Sequence, residues 1–423
     1  MGVLTRSRTA KVIGGIALIS ASALVLAGCA GDSSPAESGS SSAPAGDRED
    51  LTLKIGTVLP QTGSLAFLGP PEEAGVLLAV NEINEAAKGI TVELSPGDSG
   101  DTDNKAYETT VPRLQSEGVS AMIGAAASGV SKLFLDSNVS ENIITFSPAN
   151  TSPDFTTWDD NNLYWRTAPS DLLQGEVLAN QIAEDGHSTI GIIYINDAYG
   201  TGLEGVVKEV FEGTGGEVVA EASFNTGDTS FDAQVATIAA ANPDAIVAIT
   251  FDEFATIAPL LVNAGQSAEN FYLVDGNLKQ WGADIPVSLE GAKGTTPGPV
   301  LEDDFVERLN AAWTEAGNAE LEDQSYAAES YDAAVLLALA ALAANATDGP
   351  TIAGKLQEVS GGTGDGEKCT TFAECADIIL DGGTADYDGY SGPITFDENG
   401  DPTEATIGIF QYGADNTHTR VND

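Results

Sequence analysis

The residue types that carry most protein chemistry are scarce in this chain, which has three cysteines and two histidines in 423 residues. Cys369 and Cys375 form a close pair in GEKCTTFAECAD. A zinc centre there would need two further ligands, and the histidines on offer are His187 and His418. A small disulfide loop in an oxidising compartment is the better reading, a structural staple rather than a reactive site. A Ser-His-Asp relay is disfavoured, because one of the two histidines is close to the C-terminus and no G-x-S-x-G elbow occurs. GGTGDGEKCT (361–370) approaches a phosphate loop, but Lys368 comes one residue late and no strand pattern precedes it. FDENGDP (396–402) approaches a calcium loop, lacks the distal Glu, and fits a hairpin turn at Asn399-Gly400 better. These features leave binding as the chemistry to look for. The stretch VSAMIGAAASGVS (119–131) suits it, because an apolar run ends and almost no side-chain bulk follows from Gly124 to Gly129. A ligand approaching backbone N–H groups needs such a place; a bland linker is the alternative.

The elements that would position such a site alternate regularly. LTLKIGTVL (51–59), ITVEL (90–94), VSAMIG (119–124) and NIITFS (142–147) read as strands. Helices are expected over 70–87, 103–117 with Pro112 inside, and between 124 and 142. A helix at 171–185 then leads to strands at 188–195, EVVAEASF, 244–250 and 270–275, with helices between. Strand-helix alternation predicts an α/β fold with parallel sheets covered on both faces. The helical run from 301 to 344 breaks the rhythm, which favours two open sheets over one closed barrel. In open parallel sheets ligands bind beyond the carboxyl ends of the strands. Those ends are followed by Ala125-Ala126-Ala127-Ser128, Pro148-Ala149-Asn150-Thr151, Asn196-Asp197-Ala198-Tyr199-Gly200, Phe251 and Asp275. The small stretch therefore falls at a strand end, before a helix start.

The N-terminal segment is not fold. Arg6, Arg8 and Lys11 precede an apolar run from Val12 to Ala27, closed by Leu26-Ala27-Gly28-Cys29. This is a secretory-signal layout, and its end resembles a bacterial lipobox, which implies lipidation of Cys29 and removal of 1–28. An ordinary cleaved signal and an uncleaved anchor are the alternatives. Residues 29–50, rich in Ser, Gly, Ala and Pro, cannot bury a core. As a flexible tether they reach roughly 25 Å. Sixty-four acidic residues face 17 basic ones. Loss of 1–28 removes three basic and no acidic residues, moving the formal charge from −47 to −50. Such a charge repels nucleic acid and anionic lipid.

At the strand ends the chain resembles the leucine/isoleucine/valine-binding protein family, type I substrate-binding proteins of ABC importers. The stretches that carry the resemblance are IGTVLPQTGSLAFLG, AVNEIN, GVSAMIGAAASGVS, FSPANTSPDFT, WRTAPSD, IIYINDAYGTGL, TGDTSFDAQVATI, NPDAIVAI, SYDAAVLLA and YSGPITFDENGDP, in family order across 51–413. The resemblance implies two Rossmann-like lobes joined by a three-segment hinge, the chain crossing near 169, 297 and 390. Lobe 1 is then 51–169 plus 298–390, and lobe 2 is 170–297 plus 391–423. It further implies that Ser128 and Thr151 hold a ligand α-carboxylate. The Ala149 carbonyl and Asp275 would hold the α-ammonium, and Tyr199 would stand beside it. Phe251 and Leu68 would face the ligand side chain. The chain departs from the family in having Asp where branched-chain binders have Glu at 275, Phe251 without a hydroxyl, and Leu68 at an often aromatic position. The expected protein is an exported, lipid-anchored monomer on the outer face of the bacterial membrane. It binds an α-amino acid with a branched-chain or other apolar side chain, passes it to permease subunits, and uses no cofactor, metal or nucleic acid. It is not expected to be an enzyme. A sensor or uptake receptor for a related amide or carboxylate is the alternative, and a purely structural surface lipoprotein a third.

Each site residue also has a plainer role to weigh. Ser128 suits a helix cap, Thr151 a turn in PANTSP, Tyr199 a core edge, and Asp275 before Gly276 a turn acid. Tyr326 and Tyr331 are expected to pack within the 325–344 helix rather than to touch a ligand.

Overall fold

The computed structural model describes residues 48–422. The expected signal peptide, Cys29 and most of the 29–50 tether lie outside the described residues. The strands are β1 (Leu51–Val58), β2 (Ile90–Ser95), β3 (Ala121–Gly124), β4 (Ile144–Ser147), β5 (Tyr164–Arg166), β6 (Thr189–Ile195), β7 (Glu217–Phe224), β8 (Ala245–Ile249), β9 (Phe271–Val274), β10 (Lys293–Pro297), β11 (Glu367–Cys369), β12 (Ala385–Gly389), β13 (Gly392–Pro393), β14 (Ile407–Tyr412) and β15 (His418–Arg420). The helices are α1 (Gly69–Ala86), α2 (Tyr107–Glu117), α3 (Ser128–Ser140), α4 (Asp171–Glu184), α5 (Ala198–Gly213), α6 (Asp232–Ala241), α7 (Phe254–Asn263), α8 (Asp303–Glu315), α9 (Ala327–Ala344), α10 (Gly349–Val359) and α11 (Phe372–Leu380).

Two sheets dominate. The first has the order β2-β1-β3-β4-β5, all parallel. The second has the order β15-β14-β10-β9-β8-β6-β7, parallel except for β14 and β15. A small sheet, β11-β12-β13, accompanies the helices after residue 301. β3, β4, β8 and β9 are buried at every residue, as parallel strands covered on both faces must be. One apolar core surrounds the second sheet. Another joins the first sheet to α1, α9, α10 and α11. Helix α9 is long and apolar enough to cross a membrane, yet 89% of it is buried in that core.

β1–β4 and β6–β9 fall where the alternation predicts them, whereas β5 and β10–β15 are not among the strands read from the sequence. The helix expected from 103 begins only at Tyr107, because Asp101 and Asn104 form a turn of their own. Asp101 Oδ1 accepts the N–H groups of Asp103 and Asn104, and Asn104 Oδ1 accepts those of Asp101 and Ala106. Pro112 lies inside α2 without ending it. The chain passes between the sheets at 167–170 and again at Gly298, whose φ of +114° suits glycine. The third passage, expected near 390, comes later. Ile394 and Phe396 belong to the first core, and Asp401 pairs with Arg166 at the end of β5, Nε to Oδ1 at 2.6 Å and Nη2 to Oδ2 at 2.8 Å. Only 403–406 are then left to reach β14. The Gly298 N–H donates to Thr406 O at 2.9 Å, so the second and third passages run side by side.

Candidate functional site

The small stretch turns sharply at Gly124, where φ is +122° and a Cβ would stand 2.1 Å from Val58 O. No other residue fits there. The next carbonyls are tied down from β4 and the loop after it. Ser147 Oγ donates to Ala125 O at 2.7 Å, and Asn150 Nδ2 donates to the carbonyls of Ala125 and Ala126 at 2.9 and 2.8 Å. This fixes the loop, and α3 begins with its first N–H groups at the loop's end. Ala127, in extended conformation, is the cap residue, and Ser128 is the first helical residue. The capping role that Ser128 suits is therefore not the one it takes; its Oγ accepts a long bond from Ser152 N at 3.4 Å.

Ser128, Ala149, Tyr199, Phe251, Asp275 and Leu68 line one cavity, together with Leu65, Ala126, Ala127, Gly276 and Tyr326. Six of the seven ligand-facing residues expected from the sequence thus meet. The seventh, Thr151, stands behind the cavity wall. Its carbonyl accepts Asp171 N–H at 2.7 Å, while its Oγ1 and both Asp171 carboxylate oxygens are buried without a partner.

Asp275 is the polar centre. Its Oδ1 accepts from Tyr199 Oη at 2.6 Å and Gln174 Nε2 at 3.1 Å, and its Oδ2 accepts from Tyr326 Oη at 2.8 Å. The turn role considered for it does not account for these three partners. Burial pushes its pKa up, and the three hydrogen bonds hold it down. Asp171 is driven well up, first by burial and then by the charge of Asp275. The Tyr199 ring stacks on Phe251, centroids 5.4 Å apart. A Cβ at Gly276 would lie 2.8 Å from Phe251, so glycine lets that ring close in.

Tyr326 corrects an expectation. It precedes α9 instead of packing along it, with φ +61°, an uncommon setting for a bulky residue. From there its hydroxyl reaches Asp275 from the first-lobe side, while Tyr199 reaches it from α5. No periodicity marks this residue, because it falls outside the helix. Tyr331 does pack, against Phe305 and Tyr390 at 5.6 and 5.3 Å. The two sides are drawn together: Asp252 N–H donates to Ser64 O, and Ser152 Oγ donates to Ala198 O. The cavity admits the centre of a water-sized sphere over about 10 Å³, room for about one water. An amino acid enters only if the walls part.

The other candidates take structural parts. Cys369 and Cys375 form a disulfide linking β11 to α11. Lys368, in the glycine-rich segment, pairs with Asp386 and Asp388 at 3.2 and 2.8 Å. The 396–402 segment is a turn in which Asp397 accepts the N–H groups of Asn399 and Asp401. No cluster of three His, Cys, Asp or Glu suited to a metal occurs among the described residues. At this cavity Asp275 presents a carboxyl group and α3 the positive end of its dipole.

A family model described as periplasmic binding protein matches residues 52–414. The Halobacterium salinarum chemotactic signal transduction system substrate-binding protein BasB is 26% identical over 364 residues, 81% of this chain and 83% of that protein. The Pseudomonas aeruginosa leucine-, isoleucine-, valine-, threonine-, and alanine-binding protein is 29% identical over 186 residues, 44% of this chain and half of that protein's length. The solved structure of the Streptococcus pneumoniae branched-chain amino acid transporter substrate binding protein LivJ, in complex with isoleucine, has a TM-score of 0.69 at 22% identity. It covers 88% of this chain and 100% of that one. The likeness shows a shared fold.

Proposed function

The chain belongs to the periplasmic binding protein family and has its type I fold, and on that footing we propose that it is the lipid-anchored substrate-binding protein of an ABC importer, holding an α-amino acid with an apolar side chain. The observation that carries this reading is Asp275, a carboxylate with 6% exposure where the lobes meet. It receives one tyrosine hydroxyl from each side and shares its cavity with the first residue of α3. A zwitterion fits that polarity, its ammonium at Asp275 and the Ala149 carbonyl, its carboxylate at Ser128 and the α3 N–H groups. Thr151 supports the loop from behind. Leu65, Leu68 and Phe251 are the apolar walls that the side chain would meet once the lobes part. The names of the Pseudomonas and Streptococcus proteins support the ligand class. The lobes part, admit the ligand, shut on it and present the closed form to the permease; no bond is made or broken. The anchor is Cys29 at the end of its tether, and the protein acts as a monomer outside the cytoplasm.

A second reading has a specific observation behind it. The Halobacterium relative is named for chemotactic signalling, so the same cleft would serve a receptor, for an amino acid or a small amide or carboxylate. Mass spectrometry of ligand released from the purified protein, followed by calorimetric titration, separates the two chemistries. An α-amino acid bound in one-to-one ratio supports the first. A tight ligand lacking an amino group supports the second.

A further inference from the structure

A second opening lies at the passage that follows β10. Its volume is about 340 Å³, within the size range of small-molecule sites. Its walls come from both lobes. Gly298 and Val300 of the passage and Phe410, His418 and Arg420 of β14 and β15 face Glu322 and Asp323 of the α8–α9 connection, Tyr326, and Glu329 of α9. Tyr326 also lines the Asp275 cavity, so the two spaces share that wall.

Glu329 in the wall of this pocket has no hydrogen-bonding partner for its carboxyl group among the described residues. Glu329 is 4% exposed. Its Oε1 stands against Gly298, 3.2 Å from where a Cβ would be. Behind it Glu72 is fully buried, and neither of its carboxylate oxygens has a partner. Three other nearby acids have donors. Glu73 accepts from Thr57 and Gln61, Asp332 from Tyr387, Ser391 and the Tyr390 N–H, and Asp323 from the Ser325 N–H. Arg420 directs Nη1 to Gly298 O at 2.9 Å and Nε to Asn422 O at 3.2 Å, while its buried Nη2 has no partner. Burial lowers the pKa of His418 to about 4 and keeps it neutral. One guanidinium thus stands among the three carboxylates that line the space. Burial, then Asp332, pushes the pKa of Glu329 up to about 8. An unpaired buried carboxylate is costly, so the group keeps its proton at neutral pH, and a cation in the adjoining pocket would let it ionise.

We propose that this pocket is a second binding site, for a small organic cation of the amine or guanidinium class whose charged end pairs with Glu329. The site stands whether or not the Asp275 cavity takes an amino acid. Because its walls belong to both lobes, an occupant favours the shut arrangement, and any ligand between the lobes gains affinity by the same factor as the cation does.

Putrescine is the probe, titrated calorimetrically into the exported chain at fixed ionic strength, at pH 7 and pH 9. Saturable one-to-one binding is expected, tighter at pH 9, where Glu329 is ionised without a proton to release. Glu329→Gln should weaken it about tenfold or more, while Glu367→Gln, an exposed acid on β11, should leave it unchanged. Val300 is 69% exposed on the pocket rim, so Val300→Trp blocks the space without entering the core and should also abolish binding. Heat that does not saturate, or equal affinity in wild type and either pocket variant, overturns the proposal.

Discussion

Asp275→Asn tests the site most directly. In the folded chain the substitution removes one negative charge and turns one acceptor oxygen into a donor. The groups around it can adjust. Both tyrosine hydroxyls can donate or accept, and Gln174 Nε2 also reaches Thr295 O at 3.1 Å. Burial already disfavours the ionised carboxylate, so the neutral isostere should change stability by no more than about 1 kcal/mol. A bound ammonium is different, because it loses a charge-assisted, desolvated hydrogen bond worth roughly 1.5–3 kcal/mol. The dissociation constant should rise about tenfold to a hundredfold or more. Asp244→Asn is the matched control. Asp244 is exposed, before β8 at the opposite end of the sheet, and accepts the N–H groups of Ser188 and Thr189; its loss should affect stability and leave binding alone. The assay is calorimetric titration with leucine, isoleucine, valine, alanine, phenylalanine and glutamate, with thermal unfolding of both variants alongside. Equal affinities in wild type and Asp275→Asn would remove Asp275 from the site.

Three further outcomes are expected. Asp401→Ala should destabilise the protein by about 3–5 kcal/mol in denaturant titration, because it strands the fully buried Arg166 guanidinium; the double change Arg166→Met with Asp401→Leu should recover much of the loss, and no recovery would point to another role for the pair. The folded chain holds protons that the unfolded chain releases above about pH 4.5, at Glu329 with pKa about 8, Asp197 and Asp332 about 6, and Glu72 and Asp171 raised. Stability should therefore fall as pH rises from 5 to 8, Glu329→Gln should flatten that slope, and a thermal midpoint that climbs with pH would contradict it. Cys29→Ser should release the protein from membranes on fractionation, and retention through the N-terminus would refute the lipid anchor.

Much of this architecture is written locally in the chain. Short apolar runs set the strands, and residues just beyond their ends meet around one cavity, because a parallel sheet puts all its carboxyl ends on one edge. Partners brought together by closure are another matter. Asp401 reads as a turn acid in FDENGDP, and only the folded chain shows Arg166, 235 residues away, beside it. Tyr326 reads as helix because it adjoins one, whereas its positive φ lifts the ring out of the helical pattern and into the cleft. Thr151 sits at the expected strand end, but the register of its loop turns its hydroxyl toward Asp171 instead of the cavity. Buried, unpartnered Glu72 reads as a favourable first-turn acid of α1, and nothing local reveals that α9 covers it.

The pairing of the second and third passages governs how the molecule can move. Gly298 and Thr406 are joined by a backbone hydrogen bond, and this bond continues the antiparallel ladder in which Pro297 faces Ile407. Two strands bonded in this way form a ribbon, stiff against sliding and far softer when bent across its flat face. The first passage is close by, since Thr167 Oγ1 donates to Glu329 O, and the Glu329 carboxylate touches Gly298. The Arg166–Asp401 pair fixes the ribbon's root beside β5, and beyond it lie Gly298 and the exposed residues 403–406. Such a ribbon would favour rotation about a line across it over shear. If the lobes part as proposed, Tyr326 would leave Asp275, while Tyr199, which follows β6 in the same sheet as β9, would stay with it.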